Sequence, residues 1–491
     1  MFNFIGAVKN LIKIGAASYV TDEDFIVKEI NKFKVSQRRK LMIDGERYYK
    51  GDHDILQRKR TVIGQDGNLE EVNNLPNNRV VDNQYKKMVD QKNNYLLGQP
   101  ISIKSENEAY DKVLKTFFNK KFQRLMKNIG EDSLNNGIAW MHIYYDENGE
   151  FTFKKFEPSE IIPGWRDAEH TILDYAIRLY EVIQYTKKSE KVIQKVEVYD
   201  ESGISYFELE GQKLIPVEPY HQNYFTINNE SFNWTKIPLI PFKYNNKEIP
   251  LLKMVKSLQD GLNLIKSNFQ NQMEEDPRNT ILVLVNYDGE NLGEFRRNLA
   301  QYGAVKVRTV DGSGGDLKTL QVEVNSENYK VILEIFKKAI IENAMGYDAK
   351  DDRMAGNPNQ MNIQSMYSDI DLDANNMETE FQASFEELIW FINMHLFNIG
   401  MGDFEGEEVE VIFNRDILIN EGEAIENCAK SEGILSQETI IANHPWVDDV
   451  QAEMDRIKEE KEAEIEQFGD AFKPTVNSGG ELNDGNTEEI E

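Results

Sequence analysis

The chain has 491 residues, 40% of them hydrophobic, so it exceeds the size at which a single core keeps growing and should form several subdomains. Its 56 basic residues against 85 acidic ones give a net charge of −29, which excludes the basic footprint of a protein that grips nucleic acid tightly. The single cysteine, Cys428, excludes an internal disulfide framework, and its apolar helical neighbours predict a packed side chain.

The N-terminal segment MFNFIGAVKNLIKIGAASYV resembles a targeting sequence only superficially. Lys9 and Lys13 interrupt it, no basic stretch precedes its apolar residues, and it is shorter than the roughly 18 to 20 apolar residues that span a bilayer. We therefore predict a short amphipathic helix or a mobile arm. No other segment is apolar enough to cross a membrane, so we expect a soluble protein without a membrane partner.

Residues 1–247 predict an α+β region. TVIGQDGNLEEV and MHIYYDENGEFTFKKF place DG and NG turns between alternating segments, which is the pattern of β-hairpins. KVEVYDESGISYFELEGQKLIPV predicts a further antiparallel meander, with helices beside the sheets at residues 90–97 and 121–134. No internal repeat indicates a solenoid.

The next region predicts two helices that flank a small β-rich insert. Apolar residues at steps of three and four run from Leu251 to Phe269, and Pro277 ends this helix. TILVLV and the segments around the turn DGSGGD predict strands, and residues 289–301 predict a brief helix. Helical spacing resumes from Tyr329 to Asn343, so the insert should sit at the tip of a helical stalk.

The strongest periodic signal follows a loop. Apolar residues step by three or four from Ile363 to Ile399, which predicts roughly 55 Å of continuous helix ended by Gly400 and Gly402. Residues 346–362, GYDAKDDRMAGNPNQMN, are too rich in Gly, Asn, Asp and Pro for regular structure. We name the long element the spine helix and expect a loop before it.

The C-terminal part predicts a strand in EEVEVIFNRDI, helices at residues 421–431 and 437–443, and a last helix capped by Asp448. Beyond Phe468 the composition offers little to bury, so this tail should be disordered.

Several segments match part of a known metal-binding or phosphate-binding motif, but each lacks a required feature. Asp369 to Glu380 matches calcium-loop spacing, but Ala374 replaces the required glycine inside a helical pattern, so we predict a solvated acidic helix face. DGSGGD lacks the Lys-Ser or Lys-Thr pair of a phosphate loop and predicts a hairpin turn. The six histidines are isolated, and His395 is best explained as a packing or interface residue. We expect no metal, no cofactor and no enzymatic activity.

The order of several segments resembles the portal proteins of tailed double-stranded-DNA bacteriophages, of the siphophage type from Gram-positive hosts. The matching segments are YYKGDHDI, NNRVVDNQYKKMVDQKNNYLLGQPI, GIAWMHIYYDENGEFTFKKFEPSEIIP, IPLIPFKYNNKEIP, LQDGLNLIKSNFQNQME and GILSQETIIANHPWVDDVQAEMDRIKEE. Each is a loose pattern alone, but together they follow the expected order over nearly the whole chain.

The resemblance implies a mainly helical α+β fold that assembles into a ring of about twelve or thirteen subunits around an axial channel. It implies the following division: wing 1–247, stem helix 248–276, clip 277–325, stem helix 326–345, tunnel loop 346–362, wing spine helix and strand 363–414, crown 415–469 and a disordered acidic tail 470–491.

The resemblance also implies roles for particular residues. The tunnel loop would contribute Tyr347, Lys350, Arg353, Asn357, Asn359 and Gln360, and stem contacts to the DNA backbone would come from Lys330, Lys337 and Lys338. The clip would dock partners through Arg296, Arg297, Lys306, Arg308 and Lys318. The spine and stem helices also have apolar faces that one subunit cannot cover, so we expect neighbouring subunits to bury part of them, with Ile370, Met377, Phe381 and Phe385 of the spine helix at the interface. For the loop cations, a merely solvated charged loop is the alternative.

The implied partners are the terminase large subunit, a head–tail connector, the major capsid and scaffolding proteins, and double-stranded DNA that passes through weakly and without sequence preference. The protein would be assembled in the host cytoplasm and occupy a capsid vertex of the virion. Two other classes stay open: a DNA-processing enzyme, which would need a carboxylate cluster or nucleotide loop, and an acidic scaffold or adaptor without a channel.

Overall fold

A computed structural model describes residues 22–63, 67–73, 75–185, 189–227, 230–275, 281–285, 316–320, 326–348, 360–415, 421–447, 450 and 453–461. It is a mixed helix and sheet structure, as the sequence predicts. The chain divides into two compact units, Met1–Ala349 with Tyr367–Ile417, and Lys350–Met366 with Leu418–Glu491. The N-terminal segment 1–21, the predicted helix at 289–301, the turn before Asp316, Asp448 and the tail after 461 lie outside the described residues.

The described helices include ten that we number in chain order. They are α1 (Asp22–Lys34), α2 (Gln37–Tyr49), α3 (Gln84–Leu97), α4 (Glu108–Phe117), α5 (Lys120–Asn136), α6 (Leu252–Glu275), α7 (Ser326–Asn343), α8 (Gln360–Asn398), α9 (Glu421–Lys430) and α10 (Gln437–Ala442). Two short 3₁₀ turns lie at Asp54–Gln57 and Pro158–Glu160. The helix predicted at 90–97 begins earlier, at Gln84. The Asn83 side chain caps it there by accepting a hydrogen bond from the Lys86 N–H.

Sixteen strands are described. They are β1 (Thr61–Ile63), β2 (Leu69–Glu71), β3 (Ser102–Ser105), β4 (Ile138–Tyr145), β5 (Phe151–Phe156), β6 (Ile161–Trp165), β7 (Leu173–Tyr185), β8 (Glu190–Asp200), β9 (Gly203–Glu210), β10 (Lys213–Gln222), β11 (Phe225–Ile227), β12 (Glu230–Phe232), β13 (Leu239–Lys243), β14 (Ile281–Val285), β15 (Asp316–Leu320) and β16 (Val409–Ile412).

The sheets confirm the predicted hairpins and meander. β1 pairs antiparallel with β2, and β4 pairs antiparallel with β5 around a turn in which Gly149 has φ +78°. β8, β9 and β10 form the meander within a five-stranded sheet of order β10-β9-β8-β7-β6. β13 extends the β4–β5 hairpin into a three-stranded sheet, and β16 pairs with β3.

The first unit has its core where helices cover these sheets. On the five-stranded sheet, α1 lays Phe25, Ile26 and Ile30 against apolar residues of β6 to β10, and the Phe25 and Tyr175 rings lie 5.7 Å apart. Burial of such large side chains supplies most of the stabilisation, at about 25 cal/mol per Å² of apolar surface.

α8 confirms the predicted spine helix. It runs for 39 residues, and Gly400, which follows with φ +74°, ends it in the left-handed conformation that favours glycine. The helix begins at Gln360, so residues 360–362 are helical and the prediction of a loop through 362 is wrong by three residues. The physical reason is that Pro358 is the last helix-breaking residue in the sequence before it.

α6 and α7 confirm the predicted stalk. The two helices run antiparallel, since Phe269 packs on Tyr329 at 4.7 Å while Gly261, nearer the start of α6, faces Phe336 of α7. β14 and β15, which follow α6 and precede α7 in the chain, pair antiparallel. The expected stem helix 248–276 starts four residues before α6 does, and the expected stem helix 326–345 ends two residues after α7 does.

In the second unit, α9 and α10 lie close to the predicted bounds. Cys428 on α9 is buried, and its thiol contacts the carbonyl oxygens of Ile440 and Asn443 at 3.7 and 3.6 Å. The prediction of a packed cysteine is confirmed. Across the described residues of both units, no helix combines the length and apolar character needed to span a bilayer.

Candidate functional site

The stalk helix α6 carries a buried row of polar side chains. Gln259, Asn263, Ser267 and Asn271 follow one another at steps of four and are each at most 1% exposed. Each accepts a hydrogen bond from a backbone N–H of the segment that precedes and begins α3. The pairs are Gln259 with Tyr85 at 3.0 Å, Asn263 with Asp82 at 2.9 Å, Ser267 with Val80 at 2.9 Å and Asn271 with Asn78 at 2.7 Å.

The spacing of this row explains why the two elements match. Four residues of helix advance about 6.0 Å and two residues of extended chain advance about 6.6 Å, so alternate N–H groups of residues 78–82 meet successive side chains of α6. Gln259 also donates to the Asp82 carbonyl at 2.8 Å. The extended segment is therefore held along the stalk much as a strand is held by its neighbour. This row was not predicted from the sequence, although its signal, a four-residue polar repeat beside the apolar stripe of α6, is present there.

Asp82 joins this segment to both helices of the stalk. Its carboxylate forms an ion pair with Lys266 of α6, and the Lys337 ammonium of α7 lies 3.5 Å away. Burial by itself raises the pKa of Asp82, but hydrogen bonds from Lys266 and Gln84 and the charges of Lys266 and Lys337 outweigh it, so the pKa lies below its ordinary value. The carboxylate is therefore ionised and bridges α6 and α7.

The stem lysines that were predicted to contact DNA differ in their surroundings. Lys337 faces Asp82, as described above, and is partly neutralised within the subunit. Lys338 has a side chain that is 76% exposed and lies 3.9 Å from Glu342. Lys330 is exposed, and the structure gives it no ion pair among the described residues.

The start of the predicted tunnel loop is fixed to the first unit. The Tyr347 ring packs on Tyr367 at 4.6 Å, and its backbone is bound by Gln91 of α3. The Tyr347 side chain is thus engaged inside the subunit, where sequence reasoning expected it to line the channel. Gln360 is the first residue of α8. The other predicted loop residues, Lys350, Arg353, Asn357 and Asn359, lie outside the described residues.

The predicted clip residues are described only in part. Lys318 lies on β15 opposite Val283 of β14. Arg296, Arg297, Lys306 and Arg308 lie outside the described residues, so their role in docking stays a prediction.

The four predicted interface residues of the spine helix are buried inside the chain. Ile370, Met377, Phe381 and Phe385 are at most 2% exposed. The Phe381 ring lies 5.1 Å from Phe242, and Phe385 packs among Phe122, Phe242 and Phe413. The reason for placing these residues at an interface, an apolar face that one subunit cannot cover, is therefore wrong for them, because the subunit's own helices and strands cover that face.

An uncovered apolar surface is present elsewhere, on the stalk. Val331, Ile332 and Ile335 of α7 are 53%, 40% and 58% exposed. Val331 and Ile335 lie on the side of the helix away from the Tyr329 and Phe336 contacts with α6, and Ile332, three residues after Tyr329 and four before Phe336, borders the contacting side. We name these three residues the α7 apolar face. Apolar side chains grouped on one face of a helix and open to water are typical of a surface that another chain covers.

Two acidic residues of the spine helix form ion pairs within the subunit. Asp373 pairs with Lys92 at 2.7 Å, and Asp371 pairs with Arg415 at 2.9 Å. The prediction of a solvated acidic face is therefore wrong at these two positions, because basic residues distant in sequence fold against them. In the part of the chain that the structure describes, no group of His, Cys, Asp and Glu has the arrangement of a metal site. His395 packs on the Phe151 ring at 4.5 Å, which confirms a packing role.

Comparison with known proteins places the chain in a family. The model of the family "Phage portal protein, SPP1 Gp6-like" matches residues 32–467. The portal protein of Bacillus phage SPP1 is 28% identical over 467 residues, which cover 94% of this chain and 91% of that protein. The portal protein of Clostridium phage phiCD119 is 30% identical over 451 residues, covering 89% and 96%.

A chain in the structure of the neck of a native GTA particle, computed with C12 symmetry, aligns with a TM-score of 0.38 and 11% identity, covering 72% of this chain and 88% of that chain. Family membership rests on the sequence matches, which extend through the stalk and the spine helix described above. By these matches, the chain belongs to the SPP1 Gp6-like family of phage portal proteins.

Proposed function

We propose that copies of this portal protein form a closed ring of about twelve or thirteen subunits at one capsid vertex, with the stalk helices around the channel through which the genome enters and leaves. The observation that carries the proposal is the α7 apolar face, on a stalk that belongs to a portal-family chain. A neighbouring copy is the partner that a ring supplies to every subunit, and it would cover this face without any further protein.

Charge supports passage of DNA without tight binding. Each chain carries −29, so twelve copies carry roughly 12 × 29, about 350 negative charges, which repel the phosphate backbone from the wall. A channel needs such a wall because every strong phosphate contact would have to be broken at each step. We expect a few weak contacts, from Lys330 and from the loop cations Lys350 and Arg353, and hence affinity that falls with salt at a shallow slope.

Each region of the chain has its own place in the proposed ring. The insert between the stalk helices, residues 277–325, is the clip and docks the terminase large subunit and later the head–tail connector. The N-terminal sheets with the spine helix are the wing, which faces the capsid and scaffolding proteins. Residues 415–469 are the crown. The protein works by shape, charge and assembly, and its site residues carry no catalytic step.

Measurement of the particle mass tests the ring. A subunit of 56.9 kDa predicts 12 × 56.9, about 680 kDa, or 13 × 56.9, about 740 kDa, by light scattering, and electron microscopy should show closed rings with a central hole. An open or monomeric species at the same concentration would contradict the proposal and leave the acidic scaffold or adaptor as the better explanation.

Shortening the loop tests the channel. Deletion of residues 351–358 removes most of the segment between Tyr347 and α8 without touching any described residue. We expect rings of unchanged mass that package DNA poorly in an assay with the terminase motor. Normal packaging by such rings would remove the tunnel-loop assignment.

Charge reversal tests the clip. Reversed charges at Arg296 and Arg297 should weaken docking of the motor and leave the ring whole.

A further inference from the structure

Two adjacent side chains of α3 hold the point where the stalk passes into the tunnel loop. The Gln91 amide donates to the Tyr347 carbonyl at 2.8 Å, and its oxygen accepts the Tyr347 N–H at 3.1 Å. The Lys92 ammonium donates to the Met345 carbonyl at 3.1 Å. A side chain that binds both backbone groups of one residue fixes its position and its orientation together.

Lys92 connects this point to the spine helix. It is 3% exposed and pairs with Asp373 of α8 at 2.7 Å, and Asp373 also accepts from the Tyr244 hydroxyl at 2.8 Å. A buried ion pair is stable only when further hydrogen bonds satisfy its remaining donors and acceptors, and the Met345 carbonyl and Tyr244 do so here. Each buried charge of this pair therefore contacts a second polar group as well as its partner.

A second route connects the same point to α8. The Tyr347 ring packs on Tyr367, which lies 5.7 Å from Tyr95 of α3, and the Tyr95 hydroxyl donates to Asp371. Arg415 pairs with Asp371 at 2.9 Å and with Glu378 at 2.5 Å. Two independent series of contacts thus join the start of the loop to one helix.

We infer that Gln91 and Lys92 are positioning residues: they hold the main chain of Tyr347 and Met345, where the tunnel loop begins, against α3, and Lys92 ties this point to Asp373 of α8. The inference rests on the proposed function. Of the two, Gln91 acts only on the loop, since both of its hydrogen bonds go to Tyr347. Lys92 also supports the core, because its loss would leave Asp373 buried without a cation.

Gln91→Ala is therefore the decisive variant, and Asn94→Ala is its matched control. Asn94 lies on the same helix, but its amide donates to Asp90 of that helix and leaves the stalk untouched. In Gln91→Ala rings, hydrogen exchange of the Tyr347 amide should rise at least about tenfold, as expected for the loss of a hydrogen bond that holds it. The mass and melting temperature of the rings should match those of the control.

The functional measurement is the number of ATP molecules that the motor hydrolyses per base pair packaged. Gln91→Ala should at least double this ratio, because we expect loops that no longer start from one fixed position to let packaged DNA slip back more often. A purely structural defect would instead lower the yield of rings at a constant ratio. Unchanged exchange, or faster exchange at an unchanged ratio, would overturn the inference. Wild-type rings that fail to package at all would remove the proposed function, and this inference with it.

Discussion

The carboxylate of Asp82 lies 3.5 Å from the ammonium of Lys337, a residue of α7 that was predicted from the sequence to contact DNA. The same carboxylate pairs with Lys266, so a single acid ties the extended segment to both stalk helices. Part of the charge of Lys337 is consequently balanced inside the subunit. Contact of the stalk with phosphate stays a prediction, and Lys330, exposed on the same helix, is the better candidate for it.

Asp82→Asn should loosen the stalk. We expect a loss of about 1 kcal/mol in the free energy of unfolding at pH 7, measured by urea titration, because two ammonium groups lose their partner. The pKa of Asp82 is lowered in the folded state, so its contribution is present above the unfolded-state pKa of about 3.9 and is lost as pH falls through the lower folded-state pKa. The difference between variant and wild type should therefore narrow below about pH 4.

The matched control is Glu342→Gln, which removes the same charge from an exposed pair at 3.9 Å to Lys338. Its unfolding curve should superimpose on that of wild type at every pH. Equal losses in the two variants would show that Asp82 contributes no more than a surface charge.

Asn263→Ala tests the polar row of α6. The amide is fully buried, accepts the Asp82 N–H at 2.9 Å and donates to His53 at 2.8 Å, so its removal leaves buried polar groups without partners. A loss of about 2 to 3 kcal/mol in the free energy of unfolding is expected. Ser257→Ala, at an exposed position of the same helix, should leave stability unchanged. Equal stability of both variants would mean that the row does not hold the extended segment.

The sequence predicted the long elements well because their signals are local. Apolar spacing placed α8 to within three residues at its start, and the turn residues before Gly149 located the β4–β5 hairpin. The polar row of α6 escaped, because the groups it binds are backbone amides about 180 residues earlier, and a backbone amide leaves no trace in the sequence.

Charge pairing and interfaces were harder for the same physical reason. Asp371 and Asp373 look solvated on the helix by itself, yet Arg415 and Lys92 reach them from distant elements. An apolar stripe likewise predicts that a helix face is buried. It does not tell whether the same chain or another subunit buries it. Phe381 and Phe385 are covered by their own subunit, while Ile335 of α7 is not.

Gly45→Ala should separate two helices. Gly45 of α2 faces the main chain of α5 so closely that an added Cβ would lie 1.9 Å from the Asn135 carbonyl oxygen. Alanine normally stabilises a helix by about 0.5 to 1 kcal/mol relative to glycine, but here the backbone must shift, at a cost of about 2 kcal/mol or more. Thermal unfolding should show a lower melting temperature for Gly45→Ala. Lys40→Ala, at an exposed position of α2, should leave the melting temperature unchanged. A stabilised Gly45→Ala protein would refute the close approach.

Glu387 makes stability depend on pH near neutrality. It lines a cavity of about 560 Å³ beside α8, and burial raises its pKa to about 7, although the charge of Lys236 acts against the shift. A raised folded-state pKa gives stability that is complete below the unfolded-state value of about 4.3 and is lost as pH rises towards 7. The wild type should lose about 3 kcal/mol over this interval from this group, and Glu387→Gln should not. Glu386→Gln, at the exposed neighbouring position, should keep the wild-type pH profile.

The final prediction separates ring assembly from folding. Ile335→Asp places a charge on the α7 apolar face, where the side chain is 58% exposed in the single subunit, so the subunit should fold with an unchanged melting temperature. If neighbours bury this face, the same charge costs several kcal/mol at every interface of the ring, and light scattering should show monomers. Phe385→Asp places the charge in the subunit's own core, where Phe385 is fully buried, and should prevent folding itself. Intact rings of Ile335→Asp would show that the stalk faces water, and the ring contact would then have to be sought on other surfaces.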